Sequence, residues 1–160
     1  MATYERSVRV DAPFEEVWTF HASTSGLEAL TPSWMHLEVE AVTGPDGGPD
    51  PDELETGSTI LASVQPFGLG PRQGWTSEIV ARDRDGSSGF FRDEMVDGPF
   101  REWEHTHLFY GDGNSTVVRD RIRYTLPYGG VGEAFGPLAK VGFEPMFRYR
   151  HRRTKELLER

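Results

Sequence analysis

Hydrophobic and polar positions alternate with a period of two through most of this chain and switch to a helical period twice, near the start and at the end. Residues 3–11 set Tyr4, Val8 and Val10 against Glu5, Ser7 and Arg9, a strand with one wet face. A short helix should follow at once. Pro13 suits a first helical position, Glu15 and Glu16 suit the positive end, and Phe14, Val17, Trp18 and His21 recur at helical spacing. Ser25 with Glu28 has the form of a capping box for a second short helix, which Thr31-Pro32 should end. Strands are expected at 37–43 and 58–65, separated by GPDGGPDPDELETG, whose prolines, glycines and acids predict a long, solvated, mobile loop. Residues 73–83 set Trp75, Ser77, Ile79 and Ala81 against Thr76, Glu78, Val80 and Arg82 as a further strand, and strands near 89–95, 100–110 and 115–126 bring the total to seven. After Leu126-Pro127-Tyr128-Gly129-Gly130 the period turns helical through Phe135, Leu138, Phe143, Met146, Phe147 and Leu157, with Pro137, Gly142 and Pro145 placed to start or kink the helix. The order of strand, two short helices, six strands and one long helix, with hairpins dominating, is an α+β architecture in a single domain, residues 1–160.

The stretch FREWEHTHLFY at 100–110 puts Trp103, His105, His107 and Phe109 on one face and Glu102, Glu104, Thr106 and Leu108 on the other. The acids mark the second face as wet, so the inward face is aromatic yet carries two imidazoles, which a core accepts only with partners. The next strand offers one. Arg119, Arg121 and Arg123 alternate with Val118, Asp120, Ile122 and Tyr124, leaving Asp120 on the apolar side. The turn around Gly111-Asp112-Gly113-Asn114 makes a hairpin of the two strands. If Tyr110 faces Ser115, His105 falls opposite Asp120; a shift of two puts His107 there. On the preceding strand Phe91, Asp93 and Met95 share a face, and the link Val96-Asp97-Gly98-Pro99 returns that strand beside Trp103 and His105. A row of Asp93, His105 or His107, and Asp120 across three strands is therefore expected.

Composition narrows the partners. A net charge of −9 argues against nucleic acid, which needs clustered cations. The absence of cysteine fits a cytoplasmic protein, and no apolar run approaches a membrane span, so no integral membrane association is expected. Only Lys140 and Lys155 are lysines among seventeen basic residues, a pattern that fits either a high-salt cytoplasm or a GC-rich genome. The one basic cluster, Arg148, Arg150, Arg152 and Arg153 with His151 and Lys155, falls in the last turns of the final helix, where cations suit the negative end of the macrodipole.

The order of elements, with VRVDAPFEEVWTF near the start, resembles the START-like helix-grip superfamily, also called SRPBCC, across essentially the whole chain. FRDEMVDGPFREWEHTHLF, VVRDRIRYTLPYGG and the closing FRYRHRR resemble its ligand-binding and polyketide cyclase/dehydrase-like branch. The resemblance implies a curved seven-stranded antiparallel sheet gripping the C-terminal helix around an elongated cavity. It carries over no catalytic residue set, so chemistry must be read from the site.

On that fold, Trp75, Ile79, Phe91, Trp103, His105, His107, Phe109, Ile122 and Tyr124 of the sheet would face Phe135, Leu138, Phe143, Met146 and Phe147 of the helix. These residues would line a pocket for a hydrophobic or aromatic small molecule, or fill the space themselves as a core. Asp93, His105, His107 and Asp120 read as a satisfied buried network, as groups that orient a ligand, or as an acid–base set in a polyketide cyclase- or dehydratase-like enzyme. Two histidines on one strand face with a carboxylate nearby could also ligate a metal, but nothing else in the chain has ligand spacing, and neither a metal nor another cofactor is expected. Asp46, Asp50, Asp52 and Glu53 lack the spacing of a calcium loop. His21, His36 and His151 stand isolated and are assigned no site. A third possibility is a cavity-free module that binds an acidic partner through the arginine-rich helix end.

Overall fold

The computed structural model describes the backbone of residues 1–160 and every side chain except those of Glu133, Phe135 and Pro137. Strand β1 (Ala2–Val10) leads into helices α1 (Phe14–His21) and α2 (Thr24–Ala29) and a 3-10 turn at Ser33–Met35. Six strands follow: β2 (Glu38–Thr43), β3 (Thr59–Val64), β4 (Gln73–Asp85), β5 (Ser88–Asp97), β6 (Glu102–Asp112) and β7 (Ser115–Thr125). Helix α3 (Gly129–Phe135), a 3-10 turn at Gly136–Leu138 and helix α4 (Ala139–Leu158) complete the order. All seven strands form one antiparallel sheet, β1-β7-β6-β5-β4-β3-β2, in which β2 to β7 meander and β1 adds to the free edge of β7. This is the expected α+β helix-grip architecture.

Local chemistry departs from expectation in four places. Ser23, not Ser25, caps α2, its Oγ accepting from the Gly26 N–H at 3.1 Å. Pro13 stands one position earlier than expected, at the N-cap of α1. The single long helix is two helices, broken at the 3-10 turn that contains Pro137, a residue with no N–H to continue the α-helical ladder; Pro145 lies within α4 without ending it. The acidic segment 44–57 is not solvated throughout. Leu54 is buried, its N–H donates to the Ala22 carbonyl at 2.8 Å, and the Asp50 N–H donates to the Val42 carbonyl at 2.9 Å. Burying one leucine is worth about 2 kcal/mol, enough to pin a chain of acids at that point.

Register decides the site. β6 and β7 join through the two-residue loop Gly113-Asn114, with Asp112 paired to Ser115, and Gly113 supplies the positive φ (63°) that so tight a loop needs. Tyr110 then faces Val117, His107 faces Asp120 and His105 faces Ile122. The alternative shifted by two is the one adopted. On the other side His105 faces Asp93 and His107 faces Phe91. The expected straight row is therefore staggered, its two acids belonging to different cross-strand pairs. In β4 an irregularity between Ile79 and Ala81 pairs Ala81 with Arg92 and Arg82 with Phe91, so Ala81 leaves the inner face that Trp75, Ser77 and Ile79 share.

Two apolar clusters frame the inner face. Phe14, Val17 and Trp18 of α1 pack with Val10, Phe91, Phe109 and Val118, and Phe143 and Phe147 of α4 pack with Tyr4, Ile122 and Tyr124. Trp18 approaches β5 so closely that a Cβ on Gly89 would meet its ring at 2.6 Å. The outer face is laced by arginines. Arg121 bonds Glu5, Arg119 bonds Ser7, and Arg92 Nε donates to Thr106 Oγ1 at 3.1 Å, which explains how an outward-facing threonine comes to be buried.

Candidate functional site

A cavity of about 450 Å³ lies between the sheet and α4. Ile60 and Val64 of β3, Trp75 and Ile79 of β4, Phe91 of β5 and Trp103 of β6 form its sheet wall. Phe143, Met146 and Phe147 of α4 close it from the other side, and α2 with the following segment contributes Leu27, Leu30 and Trp34. Its size and its mostly apolar wall are those of a small-molecule pocket.

The structure sorts the expected lining residues. Trp75, Ile79, Phe91, Trp103, His105, His107, Phe143, Met146 and Phe147 all border the cavity, and Asp93 joins them. Phe109, Ile122 and Tyr124 do not: each is 0 % exposed and lies in the packed core. Trp18 and His21 cover Phe109 at ring distances of 5.5 and 5.0 Å, while Phe143 covers Tyr124 at 5.0 Å and the Tyr124 hydroxyl donates to the Gly136 carbonyl. Leu138 is 61 % exposed, because the 3-10 turn before α4 carries it off the sheet-facing stripe. The expectation for Phe135 falls on a side chain outside the described residues.

Two residues assigned no site belong to it, and so does one arginine of the basic cluster. His21 borders the cavity from α1, and Arg150 borders it from α4. His151 is buried against Asp120. Phe143, Phe147, Arg150, His151 and Thr154 follow one another at helical spacing, so the apolar stripe of α4 could have been read on through its basic end. The outward arginines are spent on acids: Arg148 on Glu144 at 3.0 Å, and Arg152 and Arg153 on Glu156 at 3.7 and 2.7 Å. A cavity is present where the third possibility supposed none.

The polar end of the cavity is built around Asp120. Arg6 Nη1 lies 2.8 Å from His151 Nδ1, and a guanidinium only donates, so that nitrogen is the acceptor. His151 Nε2–H therefore donates to Asp120 Oδ2 at 2.5 Å. Asp120 Oδ1 accepts from His105 Nε2 at 2.7 Å. His105 is thus left with a bare Nδ1, 3.9 Å from Asp93 Oδ1. His107 stacks on His105 with ring centroids 3.7 Å apart. Its Nδ1 sits 3.2 Å from Asp120 Oδ1 but out of line, and is buried without a hydrogen-bond partner. Its Nε2 is 3.6 Å from Asp93 Oδ1.

These surroundings set protonation. Burial pushes the Asp120 carboxyl up, but the imidazoles of His105, His107 and His151 outweigh it and hold the group well below the usual carboxylate range. Asp93 is also lowered, burial being overcome by His107 and His105. Burial and the neighbouring His107 lower His105, against the pull of Asp120. For His107 burial is outweighed by Asp120 and Asp93 together, and its pKa rises. Burial drives His21 down to about 3, although its Nδ1 donates to the Val17 carbonyl at 2.8 Å. Asp93, His105 and His107 each bring one donor atom within 4.8 Å of the others, so this trio could hold a divalent metal through two imidazoles and a carboxylate.

A family profile described as polyketide cyclase/dehydrase and lipid transport matches residues 1–159. No curated protein matches the sequence. Among solved structures, norcoclaurine synthase from Thalictrum flavum in complex with dopamine and hydroxybenzaldehyde is similar at 17 % identity and a TM-score of 0.67, over 99 % of this chain and 87 % of that one. A START superfamily protein from Mycobacterium smegmatis is similar at 14 % identity and a TM-score of 0.60, over 98 % and 97 % of the two chains. A protein from Chromobacterium violaceum reaches a TM-score of 0.70 at 12 % identity, over 100 % and 99 %. At these identities the likeness is one of fold. The sequence match along almost its entire length places this chain in the polyketide cyclase/dehydrase and lipid transport family of START-like proteins.

Proposed function

We propose that this protein binds a hydrophobic or aromatic small molecule in the cavity between the sheet and α4. The observation that carries this reading is the cavity itself, about 450 Å³ of space under a wall rich in tryptophan and phenylalanine. Family membership supports it, and a protein of the same fold, norcoclaurine synthase, is known in complex with two aromatic molecules. Aromatic walls supply affinity and the polar end sets orientation. Native mass spectrometry of the protein purified from its own source should find a small apolar molecule in stoichiometric amount. Trp103→Ala should weaken its binding, and Glu104→Ala, on the opposite face of β6, should not; equal effects would remove this reading.

A second reading is enzymatic, and a specific observation favours it. His105, lowered and bare at Nδ1, stacks against His107, which is raised, so a base and an acid stand side by side at the cavity wall. Such a pair suits proton removal and return on a carbonyl-bearing substrate, as in a cyclase or dehydratase. In that case His105→Ala or His107→Ala abolishes turnover and leaves affinity largely intact. An orienting role predicts the reverse, with loss of affinity.

A further inference from the structure

Arg150 is 9 % exposed and borders the cavity, yet its Nε has no hydrogen-bond partner among the described residues. Leaving a buried guanidinium N–H without a partner is costly, so this end of the cavity has a chemical demand. Asp120 and Asp93 both act on its charge, but neither is bonded to it. Asp120 is committed to His105 and His151, with Arg6 behind them, and Asp93 lies within 4 Å of both His105 and His107. The Arg150 guanidinium carbon lies over the Phe147 ring at 5.8 Å from its centre, a contact that satisfies none of its N–H donors. The rest of the wall is mostly apolar, with Asp93, His105 and His107 among its polar members. One cation with a free donor in a mostly apolar cavity describes the complement of an amphiphile with an anionic head.

We propose that the ligand of this cavity carries an oxyanion, a carboxylate or a group of like geometry, that Arg150 binds while the apolar body lies against Trp75, Trp103 and Phe143. This inference rests on the cavity-binding reading and adds the ligand's charge to it. A guanidinium offers parallel N–H donors matched to two oxygens, and the buried site strengthens each such bond.

The test uses the neutral fluorescent probe N-phenyl-1-naphthylamine, displaced by decanoate or by decanol. The wild type should bind the probe and prefer decanoate to decanol by about tenfold or more. Arg150→Met should keep probe and decanol binding and lose the preference, and Arg150→Lys should retain part of it. Equal affinity of the wild type for acid and alcohol overturns the proposal, and needs no variant to fold. Arg150→Met weakening acid and alcohol alike also overturns it, by making the arginine structural. Failure of the wild type to bind even the neutral probe would overturn the cavity-binding reading itself, a result distinct from the other two.

Discussion

His105 Nε2 reaches Asp120 Oδ1 at 2.7 Å although the residue directly across the ladder from Asp120 is His107. The bond is diagonal, and it frees His107 from in-line pairing while fixing which nitrogen of His105 is bare. Asp120 also accepts a hydrogen bond from His151 Nε2, so its carboxylate has N–H donors on both oxygens. Asp120→Asn keeps the shape but turns an N–H donor toward one of those imidazoles. Stability should fall by about 2–4 kcal/mol, read by urea unfolding, and nitrogen NMR should show one of the two Nε2–H tautomers lost. A loss below about 1 kcal/mol would mean that the pairing only balances its desolvation.

Acid should weaken the fold well before the carboxylates titrate. His21 is held neutral with a pKa of about 3, below the ordinary value of 6.5, and His105 is lowered too. On account of His21 the unfolded chain binds more protons than the folded one between about pH 6.5 and pH 3, and stability declines as pH falls through that window by about 1.4 kcal/mol per unit, with His105 acting in the same direction. His107 acts in the opposite sense, since its raised pKa contributes stability below 6.5 that is lost as pH rises through its folded value. His21→Phe should flatten the slope between pH 6 and pH 4 by about one proton's worth, measured by denaturant titrations at each pH. An unchanged slope would show that His21 is protonated in the folded state.

Gly89→Ala should cost about 1–3 kcal/mol, because the new methyl meets the Trp18 ring at 2.6 Å and that ring is wedged among Phe14, Phe91 and Phe109. Thermal unfolding checks the cost, and a shift in tryptophan emission locates it.

Chelation should leave ligand binding unchanged. The donor trio of Asp93, His105 and His107 faces an end of the cavity that already holds Arg150, and both histidines have a nitrogen within 3.2 Å of Asp120. Probe affinity before and after treatment with EDTA decides the point, and a loss restored by zinc would assign the trio to a metal.

Strand periodicity, the two short helices and the closing helical stripe were legible because each rests on a local pattern that tertiary packing reinforced. Asp120 on an apolar face, and two histidines beside it, announced a polar site for the same reason. Its wiring was not legible. Whether His105 or His107 faced Asp120 turned on the length of the Gly113-Asn114 loop, which a sequence of four turn-forming residues leaves open. His151 and Arg150 were missed because four arginines in six residues, 148–153, look like a solvated helix end, and only the continued spacing from Phe143 and Phe147 distinguishes the inward pair. Phe109, Ile122 and Tyr124 point inward as their parity requires, yet parity cannot say whether an inward side chain meets a void or a neighbour.

Glu144 stands on the outer side of α4, bonded to Tyr4 and Arg148 and 3.5 Å from Arg6, and from there Arg6, His151 and Asp120 lead inward to His105. Each link fixes the donor and acceptor of the next. The cavity is thus joined to the surface by one unbroken chain of polar contacts, so the orientation of His105 is anchored as far away as a half-exposed glutamate.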